Sequence, residues 1–146
     1  MILLDSNVLV YAVYKKAPLH EISARLVKEG FRKRGHFCIS PQNILEFCAV
    51  VTRSSLVDPP LPAGEVMRIA HLLFTSRCLM KIYPKRATVM RAIREGSRIN
   101  LSGPRWHDMF LGTTMADAGV KEIINENVRD FVVFPWLTVQ KLSDIK

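Results

Sequence analysis

Four acidic residues, Asp5, Glu46, Asp108 and Asp130, are the side chains whose type and surroundings best suit chemistry. Carboxylates gathered in a partly buried crevice repel one another, and the usual relief is proton uptake or a bound divalent cation. Ligands that are all oxygen point to a hard ion, Mg²⁺ or Mn²⁺. Such a centre suits phosphate esters: one metal activates an attacking water while a second, about 4 Å away, steadies the leaving oxygen. Each acid also has a plainer reading. Asp5 fits a turn or helix cap, and Asp130 a turn residue after a strand. Asp108 falls in the first turns of a helix opened by Pro104, where the macrodipole favours an acid. Glu46 sits among Ile44, Leu45, Phe47 and Cys48, where a carboxylate needs a partner or metal unless it shares an exposed stripe with Asn43 and Arg53. Four acids at strand ends and helix starts of one sheet nevertheless suggest a shared cluster.

The elements that must position them are read from the apolar pattern. Residues 1–4 form a short apolar run closed by Asp5-Ser6-Asn7, a buried strand delivered into a helix start. Ile22, Leu26, Val27 and Phe31 recur at helical spacing over 18–34, with a stop near Gly35. Phe37-Cys38-Ile39 reads as a second strand, and Ser40-Pro41 opens a helix over 41–53. The proline-rich stretch 58–62 is a loop, after which Val66, Ile69, Ala70 and Leu73 mark another helix. A strand is expected over 79–83, then a helix with Val89, Ala92 and Ile93 on its apolar side. Its opposite side carries Arg91, Arg94 and Arg98, a stripe that either holds phosphates or is a solvated face. Gly103-Pro104 begins a helix running through Phe110, Leu111 and Met115 to Gly119, and strands follow over 120–124 and 137–139. Short strands alternating with helices predict an α/β fold with a parallel sheet covered on both faces and chemistry at the carboxyl ends of its strands.

Composition bounds the function. A chain of 146 residues, 49% apolar and 23% charged, is expected to be a single globular domain over 1–146. Its net charge of +8 favours a polyanionic partner, with a basic rim drawing a nucleic acid toward the acidic centre. Cys38, Cys48 and Cys78 are odd in number and form no C-x-x-C pair, which argues against a zinc cage or disulfide framework. The opening residues lack a leader-like pattern and no stretch has the length of a membrane span, so a cytoplasmic protein without membrane contact is expected. Signatures for P-loop, dinucleotide, serine-hydrolase and zincin sites are absent. Asn7 stands where an aspartyl phosphatase wants its second acid.

Taken together the motifs resemble the PIN-domain family, and within it the VapC-type toxin ribonucleases. Ile2-Leu3-Leu4-Asp5-Ser6-Asn7-Val8-Leu9 resembles the family's strand-to-helix start, with Asp5 as its first acid. Gln42-Asn43-Ile44-Leu45-Glu46-Phe47 with Val51-Thr52-Arg53 resembles the second motif, and His107-Asp108-Met109-Phe110-Leu111 the third. The fourth, usually Thr-x-Asn or Thr-x-Asp followed by Asp-Phe, appears as Asn125-Glu126-Asn127-Val128-Arg129-Asp130-Phe131, with Asn125 replacing the threonine. Ser6 replaces a commoner threonine. The resemblance covers almost the whole chain. It implies a three-layer α/β/α PIN-like domain around a parallel sheet of about four or five short strands, and Mg²⁺- or Mn²⁺-dependent endoribonuclease activity. Asp5, Glu46 and Asp108 would hold the metal, Asp130 would complete the ring or orient water, and Ser6 and Asn127 would position the acids. It further implies an RNA substrate such as transfer or ribosomal RNA, frequent homodimers, and an antitoxin protein as inhibitor. Asn125 keeps open an alternative, a noncatalytic RNA- or protein-binding PIN-like module. DNA cleavage also stays open, since attack by metal-activated water does not require a 2′-hydroxyl.

Overall fold

The computed structural model describes residues 1–146. Five parallel strands form one sheet: β1 (Ile2–Leu4), β2 (Phe37–Ile39), β3 (Met80–Lys81), β4 (Glu122–Asn125) and β5 (Thr138–Lys141), in the order β3-β2-β1-β4-β5. Six helices connect them: α1 (Ser6–Val13), α2 (His20–Gly30), α3 (Pro41–Val51), α4 (Ala63–Thr75), α5 (Arg86–Arg98) and α6 (Arg105–Asp117). None is long and apolar enough to cross a membrane.

The two-residue period of a strand builds the three layers. Leu4, Phe37, Ile39 and Ile124 point into one core with Val8, Leu9, Leu26, Phe47, Val51 and Leu73 of α1 to α4. Their neighbours Leu3, Cys38 and Ile123 point into the other, with Ala92, Met109, Leu111 and Met115 of α5 and α6. Both faces are therefore covered, and the strands read as uninterrupted apolar runs. The predicted α/β/α sandwich with its parallel sheet is the observed one.

Three differences from the sequence reading go beyond a residue or two at an element's end. Helix α2 ends at Gly30 instead of continuing to 34, because the chain turns through residues 31–36 to enter β2, with Gly35 at φ +73°. The strand expected over 79–83 pairs only at Met80 and Lys81. The apolar side of α5 is also corrected: Val89 and Ile93 are exposed, and the buried residues are Thr88, Ala92 and Gly96. Small residues face inward there because α5 lies close on α6. A β-carbon at Gly96 would stand 2.5 Å from the Trp106 ring.

The strand order fixes where a ligand can enter. From β1 the chain first moves outward through β2 to β3, and later returns to β1's other side with β4 and β5. Connections leaving β1 and β4 diverge, which opens a crevice beyond their carboxyl ends. Asp5 follows β1, and Asn125 closes β4.

Candidate active site

Asp5 is held in place by two helices. As the N-cap of α1 its Oδ1 accepts the Ser6 backbone N–H at 2.7 Å, and the same oxygen accepts Asn43 Nδ2 from α3 at 3.1 Å. Asn43 is itself part of the α3 cap. Its Oδ1 accepts the Ser40 backbone N–H at 2.9 Å and the Ser40 hydroxyl at 2.9 Å, while its own N–H donates to Ser40 Oγ. This fully buried amide thus links one helix cap to the next. The sequence reading missed that role and offered Asn43 as a member of the second motif and as a possible exposed neighbour of Glu46. The Ser40-x-x-Asn43 spacing was the available signal. Ser6 contributes through its backbone, and its hydroxyl makes no hydrogen bond within the protein.

The other acids arrive from three further elements. Glu46 is half-buried on α3, where Gln42 Nε2 donates to its Oε1 at 2.8 Å and to the His107 carbonyl at 2.9 Å, tying α3 to the first turn of α6. Asp108 projects from that turn with no hydrogen bond of its own. Asp130 lies in a short 3-10 turn over Val128–Phe131 and accepts Asn127 Nδ2 at 2.5 Å. Asn125, buried at the end of β4, organises this side. Its Oδ1 accepts Asn7 Nδ2 and, at 3.1 Å, the Asn127 backbone N–H, while its Nδ2 donates to the Asn127 carbonyl at 3.1 Å. The amide at the position of the family's threonine therefore joins α1 to the loop that carries Asp130.

Electrostatics show that the four acids share one field. Burial, opposed by the Ser6 N–H and joined by the charges of Glu46, Asp108 and Asp130, pushes the Asp5 carboxyl up to about 7. Burial likewise raises Asp108 to about 6, with Asp130 and Glu46 adding to it and His107 and Arg105 opposing. No three histidine, cysteine or acidic side chains are drawn together to the spacing of an ion's ligands, so the carboxylates surround a space without closing on it. Each acid keeps at least one oxygen without a hydrogen-bond donor. An all-oxygen donor set that repels itself and retains free lone pairs fits a hard divalent cation.

The arginine stripe of α5 divides. Arg91 turns inward, pairing with Asp117 at 2.9 Å and donating to the Thr113 carbonyl at 2.9 Å, so it ties α5 to α6 and is not free for phosphate. Arg94 and Arg98 are exposed and unpaired. Because Thr88 meets Asp117 and Gly96 meets Trp106, α5 runs antiparallel to α6, and Arg98 lies toward the end where Asp108 sits. A cleft of about 680 Å³ adjoins the acids between α3 and α6, lined by Gln42, Leu45, Glu46, Pro84, His107 and Phe110.

No family model and no curated protein matches the sequence. Solved structures do match. VapC20 of Mycobacterium tuberculosis, a sarcin-ricin loop cleaving toxin, superposes with a TM-score of 0.66 at 13% identity over 84% of this chain and 87% of that one. A chain of VapBC-1 from nontypeable Haemophilus influenzae gives 0.64 at 15% identity over 98% and 99%. One from the DNA-bound VapBC of Salmonella typhimurium gives 0.63 at 18% over 97% of each chain. At such identities the likeness is one of fold, and that fold is the PIN-like α/β/α sandwich of the VapC-type toxins.

Proposed function

We propose that this chain is a metal-dependent endoribonuclease, the toxin of a VapBC-type toxin–antitoxin pair, which hydrolyses RNA phosphodiester bonds. The observation that carries the reading is the convergence of Asp5, Glu46, Asp108 and Asp130, from four separate elements, on the crevice beyond β1 and β4. Asp5, Glu46 and Asp108 would hold Mg²⁺ or Mn²⁺, with Asp130 completing the ring. When bound, the ion would acidify and orient a water and supply positive charge for the leaving oxygen. The protein's part is to hold the carboxylates: Ser6 N–H and Asn43 fix Asp5, Gln42 fixes Glu46, and Asn127 fixes Asp130. Exposed Arg98 and Arg105 lie toward the same end, where cations offset the charge of an incoming phosphate backbone. A neighbour of this fold that is named a sarcin-ricin loop cleaving toxin supports RNA as the substrate class.

Two surfaces support protein partners. Between α1, α2 and α4 lies an apolar groove of about 330 Å³, walled by Leu9, Val13, Val27, Phe31, Ile69 and Leu72, with Lys28 and Arg32 at its rim. It suits an amphipathic antitoxin segment whose apolar side fills the groove and whose acids meet the two cations. Val89, Met90 and Ile93 form an exposed apolar stripe on α5, which supports a homodimer.

The test is cleavage of a pool of transfer and ribosomal RNA by the purified, partner-free chain with Mg²⁺ or Mn²⁺, against EDTA and against Asp108→Asn. Discrete fragments that require both metal and Asp108 establish the nuclease. A folded protein that cleaves nothing moves the reading to the noncatalytic binding module.

A further inference from the structure

We propose that the end of the sheet opposite the acids carries a second nucleic-acid contact, a cationic face that grips the phosphodiester backbone. After α2 the chain turns through six consecutive exposed residues, among them Arg32, Lys33, Arg34 and His36. The turn is fixed. Gly35 adopts φ +73° and donates its N–H to the Cys78 carbonyl at 3.1 Å, and the His36 carbonyl accepts the Ile2 N–H at 3.0 Å. The Arg32 and Lys33 N–H groups both return to the Glu29 carbonyl. The Gly35–Cys78 bond brings together the two segments that carry exposed Arg34 and Arg77. Lys121, which precedes β4, lies at the same end because Ile2 of β1 and Glu122 of β4 are in register.

Positive charge dominates this end, whose acids are Glu29 and Glu122, the latter accepting Gln140 Nε2 at 3.0 Å. Glu29 is occupied by Lys33, whereas the side chains of Arg32, Arg34, Arg77 and Lys121 make no ion pair and no hydrogen bond. Free guanidinium forks match phosphate oxygens in pairs, and here they stand on backbone that is already ordered, so little freedom is lost on binding. The acids lie beyond the carboxyl ends of β1 and β4, while these cations lie at the amino ends. A strand that reaches both must run along the flank of the sandwich, so the face favours long nucleic acids whatever the sequence at the acids. The inference does not depend on the acids forming a nuclease.

The experiment measures binding without cleavage, by fluorescence anisotropy in EDTA, of a 30-nucleotide single-stranded RNA and a 30-base-pair DNA duplex across a salt series. Three proteins are compared: the native chain, the double variant Arg34→Glu/Arg77→Glu, and a control of equal charge change, Arg68→Glu/Lys146→Glu, on α4 and beyond β5. Two lost phosphate contacts are expected to weaken binding about tenfold or more and to lower the salt slope by about 1.4 for RNA or about 1.8 for duplex. The control is expected to stay within about twofold to threefold of the native chain. A loss confined to one nucleic acid identifies the backbone the face takes. Equal weakening in control and test variants, no weakening in either, or no binding by the native chain overturns the proposal, with thermal melts confirming that all three are folded. Native binding without any metal-dependent cleavage would sink the nuclease reading and leave this one standing.

Discussion

Burying Asp5 beside three other acids makes the metal-free protein sensitive to pH, with a sign set by the direction of the shift. The Asp5 carboxyl titrates near 7 in the folded chain and in the ordinary carboxylate range when unfolded. Between those values the folded state holds the extra proton, so the contribution of Asp5 to stability is complete below about pH 4 and is lost as pH rises through 7. The upper bound on this loss is about 4 kcal/mol. Thermal melts in EDTA are expected to show a lower midpoint at pH 8 than at pH 5, and Asp5→Asn, which keeps the oxygen that Ser6 and Asn43 bind, is expected to flatten that slope. Added Mn²⁺ should raise the pH 8 midpoint of the native chain and not of Asp5→Asn. Cleavage should rise with pH through 6 to 7, because a metal must displace protons from Asp5 and Asp108. Asn125 offers a second test at this scale. Asn125→Ala strands the Asn7 amide and the Asn127 N–H, at a cost of about 1–3 kcal/mol in urea unfolding, and releases the loop that holds Asp130. Asn125→Thr, which restores one acceptor, is expected to recover part of both stability and cleavage. The four candidate acids were readable from sequence by residue type at predicted strand ends and helix starts. Asn43 and Asn125 were not read as organisers, because an amide's role depends on which neighbours the fold supplies.

At the scale of elements, the strands and helices were legible where apolar periodicity alone decides them, as in β1, β2, α3 and α4. Helix α5 was legible in extent but not in phase. Its apolar residues Val89 and Ile93 suggested the inward side, whereas close approach to α6 selected the small residues Thr88, Ala92 and Gly96. Close packing outranks hydrophobicity where two helix backbones nearly touch. Replacing Gly96 by Ala drives a methyl into the Trp106 ring, and urea unfolding is expected to show a loss of about 1–3 kcal/mol with altered Trp106 fluorescence. An unchanged midpoint would mean that α5 can move off α6 without cost. The same packing turned Arg91 from the expected phosphate stripe into a tie to Asp117, which a sequence without spatial neighbours does not show.

For the whole molecule, the apolar stripe left outward on α5 is the feature that bears on assembly. If two copies pair through it, Met90→Glu/Ile93→Glu is expected to convert a dimer to a folded monomer by sedimentation, with a melt that no longer depends on protein concentration. A native chain that sediments as a monomer at every concentration would remove the homodimer. The convergence of the acids belongs to this scale too, because it comes from strand order and not from any local motif. Asp5 and Asn125 are remote in the chain and become neighbours only because β4 inserts beside β1. That arrangement also sets a schedule. During synthesis Asp5 emerges long before its sheet partner β4 and the loop bearing Asp130, so no growing chain has the crevice until those later segments have also left the ribosome. If the acids form the proposed nuclease, the order of the strands keeps it from acting on the ribosome that is making it.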